Sequence, residues 1–352
     1  MKISTNLLIL ILGLGIITFG CTRHVVQTSP VSIVDGRYDL AFPFGGNADA
    51  LKAILKSVKL INATAYYQSY LLPRSAKITY RDINPTMLKQ GGYEKTVFND
   101  FAVGTATIIY HQNKRIAVLT CAHVVNFADT LVTYYKTTEK SSNQYVHRIS
   151  FKKREKFFIA DMRQGDGFQV IATDPDLDLA VLGKQMLFPP SKITVFDYPL
   201  GHAQELEWGN LVYLIGFPSG KKMITTGIVS DPNRNSRHDF LVDALFNRGF
   251  SGGIALAIRD GYPNFEWVGV VNAVSADNDI VLVPNEFKNG FNDLPVNTPY
   301  EGEVFASNRK RINYGISFGI SIESIRGFLA DHRLELENRG FQMDTFFRKP
   351  TL

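Results

Sequence analysis

Asp243-Ala244-Leu245-Phe246-Asn247-Arg248-Gly249-Phe250-Ser251-Gly252-Gly253 is the stretch on which the fold and function of this chain turn. A serine set among glycines can sit on a bend whose backbone N–H groups aim at one point. Gly249 and Ser251 are placed to give two such donors to a developing oxyanion. Gly249 can take backbone angles closed to other residues, and Gly252 and Gly253 let another segment come close. On its own, this is also what an ordinary turn between strands looks like. Two further stretches supply chemistry. An apolar run, Ile116-Ala117-Val118-Leu119, leads into Thr120-Cys121-Ala122-His123, so an imidazole stands at a strand end where it can face a cleft. Asp178 directly precedes Leu179-Ala180-Val181-Leu182, a partly buried setting in which a carboxylate can orient a histidine N–H. Asp174 and Asp176 lie upstream in a turn with Pro175 and read as solvated. Each piece is weak alone. In the order histidine, aspartate, serine, they make a candidate catalytic triad of His123, Asp178 and Ser251.

Around these stretches the sequence is built of short β-like runs. They fall at 105–110, 116–120, 131–135, 168–172 and 179–182, and again at 211–215, 223–229, 240–246, 254–258, 267–274, 280–283 and 315–320. Each is rich in Val, Ile, Thr and aromatic residues and bounded by Gly, Pro, Asn or Asp. Many short strands with frequent turns predict an all-β sandwich or barrel rather than a parallel sheet with crossover helices. Two helical signals interrupt them: a single turn at 123–127, and 321–337, where Ser321 can cap and Ile325, Phe328 and Leu329 share a face. Residues 74–100 and 285–312 lack clear strand character and read as long loops.

Together the three stretches resemble the chymotrypsin-like (trypsin-like) serine proteases, and in detail the HtrA/Deg branch. In that branch the histidine lies in a Thr-small-Ala-His-Val-Val stretch, matched by Thr120 to Val125, and the aspartate in an Asp-(Ile/Leu)-Ala-Leu-Leu stretch, matched from Asp178 to Leu182. The serine stretch matches from Asp243 to Gly253. Gly104, Ile215-Gly216-Phe217-Pro218, Thr226-Gly227-Ile228-Val229-Ser230, Val268-Gly269-Val270-Val271-Asn272 and Tyr314-Gly315-Ile316-Ser317-Phe318 fall in register. The resemblance implies two six-stranded antiparallel β-barrels followed by a C-terminal helix, with His123 and Asp178 from the first barrel and Ser251 from the second. It implies a serine endopeptidase acting on proteins or peptides, with an oxyanion hole from the backbone of Gly249 and Ser251 and no metal or other cofactor. By the same analogy Leu245 lies at the base of the primary pocket and favours uncharged, aliphatic residues. Asn272-Ala273-Val274 is then the strand to which substrate backbone adds. Phe250 departs from the family, which has Asn or Asp there. That departure keeps an alternative open: a catalytically impaired relative serving as a binding or sensing module. An esterase of the α/β-hydrolase kind is disfavoured, because its order is serine, acid, histidine.

The remaining features bound the setting. Apolar residues are 45% and charged residues 20% of the 352, enough to bury a core. The net charge of +5 is scattered rather than striped, which argues against nucleic acid as a partner. Lys2 followed by the apolar run 7–20 has the length of a signal-peptide core, and Gly20-Cys21 at its end resembles a bacterial lipoprotein signal. The expectation is export to the cell envelope, with Cys21 lipidated and the protein anchored to a membrane facing the periplasm or the cell surface. Cys121 is the only other cysteine, so a lipidated Cys21 leaves no intramolecular disulfide. Cys121 reads as a small buried filler. The expected organisation is a signal over 1–21, a tether over 22–54, a protease domain over 55–337 and a tail over 338–352, without a PDZ-like domain.

Overall fold

Alternating burial marks β1 (Val58–Leu71), in which every second residue from Ile61 to Tyr67 is buried. The structure, a computed structural model, describes residues 34–41, 48–135, 144–162, 167–186, 192–245, 247–284, 299, 302 and 304–347. The signal segment with Cys21, and residues 285–298 of the expected second loop, lie outside them. β1 pairs antiparallel with β2 (Glu94–Gln112) on one side and β5 (Val146–Ile159) on the other. With β3 (Arg115–Thr120), β4 (Thr130–Tyr134), β6 (Gln169–Asp174) and β7 (Leu179–Gln185) they form a seven-stranded sheet, ordered β4-β5-β1-β2-β3-β7-β6. The sheet curls back on itself. Phe168, just before β6, bridges Phe157 of β5, its N–H donating to the Phe157 carbonyl at 2.8 Å. Six strands thus come round to meet, and β4 continues the sheet past the seam.

The second unit is a closed barrel of β8 (Leu211–Gly216), β9 (Met223–Asp231), β10 (Phe240–Val242), β11 (Gly253–Ile258), β12 (Phe265–Pro284) and β13 (Val304–Ser321), ordered β10-β13-β12-β11-β8-β9. The all-β, chymotrypsin-like expectation holds, with one unit as a closed six-stranded barrel and the other as a curled seven-stranded sheet. β8 and β11 are buried along their whole length, as strands facing a packed barrel interior on one side and the neighbouring unit on the other must be.

Several elements differ from their sequence reading. Residues 94–100 are strand, not loop, because they pair with 65–71 of β1 in unbroken register. Residues 304–312 likewise pair with 276–284 in a long ribbon of β12 and β13. The insert between β1 and β2 keeps the predicted irregularity and carries the short helix α2 (Pro85–Gln90), after α1 (Ala48–Ile54). The segments at 34–41 and 48–54, read as tether, are folded. Asp39 N–H donates to the Ile258 carbonyl at 2.9 Å, and Ile54 is buried. Residues 122–125 form the one-turn α3 (Ala122–Val125). At the C-terminus α4 (Ile322–Asp331) begins where expected, with the Ser321 hydroxyl accepting from the Ser324 N–H at 3.1 Å, and α5 (Arg333–Asn338) follows it. Phe341 then meets Tyr110 of β2, and Phe346 meets Trp267 of β12, both edge-on, so the tail ties the two units together.

Candidate active site

β3 ends at buried Thr120 and Cys121, and α3 turns immediately so that Ala122, Val124 and Val125 point inward. His123, the remaining residue of that turn, faces out, with half of its side chain exposed. β7 runs beside β3, Ala180 opposite Thr120, so the residues just before β7 lie against the start of α3. There the Asp174 carboxylate accepts from the Asp176 and Leu177 N–H groups at 2.9 and 3.0 Å, closing a turn. Asp178 follows with φ +56°, a left-handed angle uncommon outside glycine, asparagine and aspartate. This conformation lets one residue hold α3 three ways. Its carbonyl accepts from the Ala122 N–H at 3.1 Å, Oδ1 accepts from the His123 N–H at 2.9 Å, and Oδ2 stands 2.8 Å from His123 Nδ1. An ionised carboxylate can only accept, so the ring proton belongs on Nδ1 and the Nε2 lone pair is left facing outward.

Ser251 comes from the second unit, on the bend between β10 and β11. Two glycines make the bend possible. Gly249 has φ +101°, and a side chain there would meet the Phe217 carbonyl oxygen at 2.4 Å. Gly252 has φ +87°, and a Cβ would lie 2.0 Å from the Thr105 carbonyl oxygen. The bend is locked against the first sheet by Thr105 of β2. The Thr105 N–H donates to the Ser251 carbonyl at 2.8 Å, and its hydroxyl donates to the Gly249 carbonyl at 2.7 Å while accepting from the Phe217 N–H at 2.9 Å. The Gly249 and Ser251 carbonyls are thus turned toward Thr105. Their N–H groups have no hydrogen-bond acceptor among the described residues.

Phe250, the departure from the family pattern, is 1% exposed and packs against Gly216 and Gly253 inside the barrel. A polar residue at this depth would need a polar partner, whereas phenylalanine anchors the bend by burying its ring. The Ser251 hydroxyl donates to the Asn272 carbonyl of β12 at 3.1 Å, and among the described residues no hydrogen bond joins it to His123. Asn272 also presents a buried side-chain oxygen, Oδ1, with no partner. Ala273 and Val274 continue β12, paired with Phe318 and Ser317; their side chains lie outside the described residues. Leu245 is 71% exposed, so it does not floor an enclosed pocket as the analogy had it.

Cys121 Sγ, His123 and Asp178 offer ligand atoms within 4.8 Å of one another. The donor set is not that of an open metal cage: Nδ1 is committed to Asp178, and burial, with the Asp178 charge, pushes the Cys121 thiol well above its ordinary pKa. The thiol instead donates to the Val271 carbonyl at 3.5 Å. Thr105 is the functional neighbour that sequence reading missed. Its only signal was a small polar residue after Gly104 at the head of a strand.

The first β unit thus carries a hydrogen-bonded histidine–aspartate pair, and the second carries a serine on a glycine bend. Residues 104–264, which contain all three, match the family described as the trypsin-like peptidase domain. The crystal structure of the serine endoprotease from Yersinia pestis is similar at 16% identity and a TM-score of 0.39, over 85% of this chain and 69% of that one. No curated protein matches the sequence.

Proposed function

We propose that the protein is a serine endopeptidase, with Ser251 as nucleophile, His123 as general base and then general acid, and Asp178 as the group that fixes the imidazole. The observation that carries this reading is the double grip of Asp178 on His123, through backbone N–H and ring Nδ1 together, which leaves Nε2 free to accept. Ser251 Oγ attacks the scissile carbonyl carbon as its proton passes to Nε2. The tetrahedral oxyanion takes up the unpaired N–H groups of Gly249 and Ser251. Collapse expels the amine, which receives the proton from His123, and water repeats the sequence to release the acid from Ser251. Every step uses this chain's own groups, without a cofactor. The substrate is read as an extended peptide lying along β12, where Asn272 Oδ1 is an acceptor in need of an N–H.

The resting Ser251 hydroxyl, bonded to the Asn272 carbonyl, gives a second reading a specific footing: a binding module that retains the fold but not the chemistry. That resting bond does not decide between the two, since catalytic hydrogen bonds often align only with substrate bound. Cleavage of a peptide library by the wild type, lost in His123→Ala with the fold intact by circular dichroism, supports the enzyme. Equal cleavage by both proteins, or none by either, sinks it. We place the enzyme in the cell envelope, lipid-anchored through Cys21, on the signal-like segment at 1–21. Metabolic labelling with an acyl probe, lost in Cys21→Ala, tests that placement.

A further inference from the structure

The insert between β1 and β2 borders an open cavity on the first sheet that plays no part in the chemistry above. Its volume is about 640 Å³, inside the range of about 300–1,000 Å³ usual for small-molecule sites. The insert is held in shape by its own bonds. The Asp82 carboxylate accepts from the Thr79 N–H and hydroxyl at 2.8 and 2.6 Å, and Asn84 caps α2 by accepting from the Met87 N–H at 2.9 Å. The insert also has its own small core, with Leu72, Ile78 and Leu88 packed on Val146 and Ile149.

The walls are chemically lopsided. Tyr70, Ile83, Leu88, Ile149 and Phe151 make an apolar interior. Arg81 and Lys89 stand on its lining as two cations with no ion-pair partner among the described residues, because the adjacent carboxylate, Asp82, is spent on Thr79. The Asn84 side chain, too, is committed to the helix cap. Such walls can bury a hydrocarbon and neutralise one negative charge, but offer little to a run of peptide groups, whose desolvation would go unrepaid. We propose that this cavity binds an acyl chain ending in a carboxylate, a free fatty acid, with Arg81 and Lys89 holding the head and the apolar walls the tail.

Titration calorimetry of the full chain with decanoate tests this without reference to peptidase activity. The expected result is saturable one-to-one binding, weakened about tenfold in the double variant Arg81→Gln/Lys89→Gln, the size of two modest exposed charge contacts. Decyltrimethylammonium, with the same chain and the opposite charge, should bind more weakly than decanoate by at least that factor. Ile83→Trp, which fills the cavity from its partly buried wall, should abolish decanoate binding while the protein stays folded. If that variant does not fold, Thr130→Trp fills the cavity from β4. Absence of heat with decanoate, or equal binding by the filled variant, overturns the proposal. So does capture by phosphatidylglycerol vesicles without binding of free decanoate, which would make the face a membrane contact.

Discussion

Thr105 is the residue through which the first sheet sets the geometry of the serine bend. Its hydroxyl both donates to the Gly249 carbonyl and accepts from the Phe217 N–H, in a site fully closed to water. Thr105→Val keeps the shape but strands both partners, at a cost of about 1–3 kcal/mol. Because the stranded carbonyl belongs to Gly249, whose N–H is an expected oxyanion donor, the loss should fall on kcat rather than KM, and Thr105→Ser should restore most of it. Steady-state kinetics with both variants checks this; an unchanged kcat in Thr105→Val would detach Thr105 from the hole. The three residues of the proposed triad stood out in the sequence because catalysis of this kind restricts residue type and order. Thr105 was not, because a buried hydroxyl acts through partners that only the fold brings together. Phe250 was legible as a departure, but its meaning was not: nothing in the sequence says that this side chain points into the barrel.

At the scale of elements, the bend at 249–253 carries Ser251 and the turn before β7 carries Asp178, and both depend on left-handed residues. Gly252→Ala would place a methyl group 2.0 Å from the Thr105 carbonyl oxygen at an unfavourable φ, so the bend cannot keep its seat on β2. The expectation is loss of activity together with a melting temperature several degrees lower, from a strain of about 1–3 kcal/mol. Differential scanning fluorimetry and a peptide assay measure both, and a variant as stable and active as wild type would contradict the described bend. β3, β7, β8 and β11 were readable because they are apolar and bounded by turn residues. β1 and β5 were not among the strands read, and the outer part of β2 passed for loop. Glu94, Lys95, Lys153 and Arg154 face water there, and the register with neighbouring strands, rather than an apolar pattern, makes those residues strand.

At the scale of the whole molecule, residues outside the barrels hold the assembly. The segment at 34–41 is strapped to the second barrel by Tyr38, whose hydroxyl donates to Glu266 Oε2 at 2.7 Å and accepts from the His202 N–H at 2.8 Å. Arg259 lies over the Tyr38 ring at 4.1 Å and donates to Glu266 Oε1 at 2.9 Å. Burial and the Glu266 charge push the Tyr38 phenol far above its ordinary pKa, keeping it a donor at any working pH. Tyr38→Phe leaves a buried carboxylate oxygen without its donor and should cost about 1–3 kcal/mol, exposing 34–41 to limited proteolysis while the barrels stay intact. Undiminished stability would mean the strap does not hold. The sequence could not disclose the strap, because its partners lie more than 150 residues apart in the chain. Catalysis as proposed also depends on the whole molecule, with His123 and Asp178 on one unit activating Ser251 on the other. Labelling of the folded protein with a fluorophosphonate, read by mass spectrometry, tests it most directly. The expected result is a single adduct on Ser251, absent in Ser251→Ala and strongly slowed in His123→Ala. Folded wild-type protein that takes up no label, or takes it up elsewhere, would contradict it.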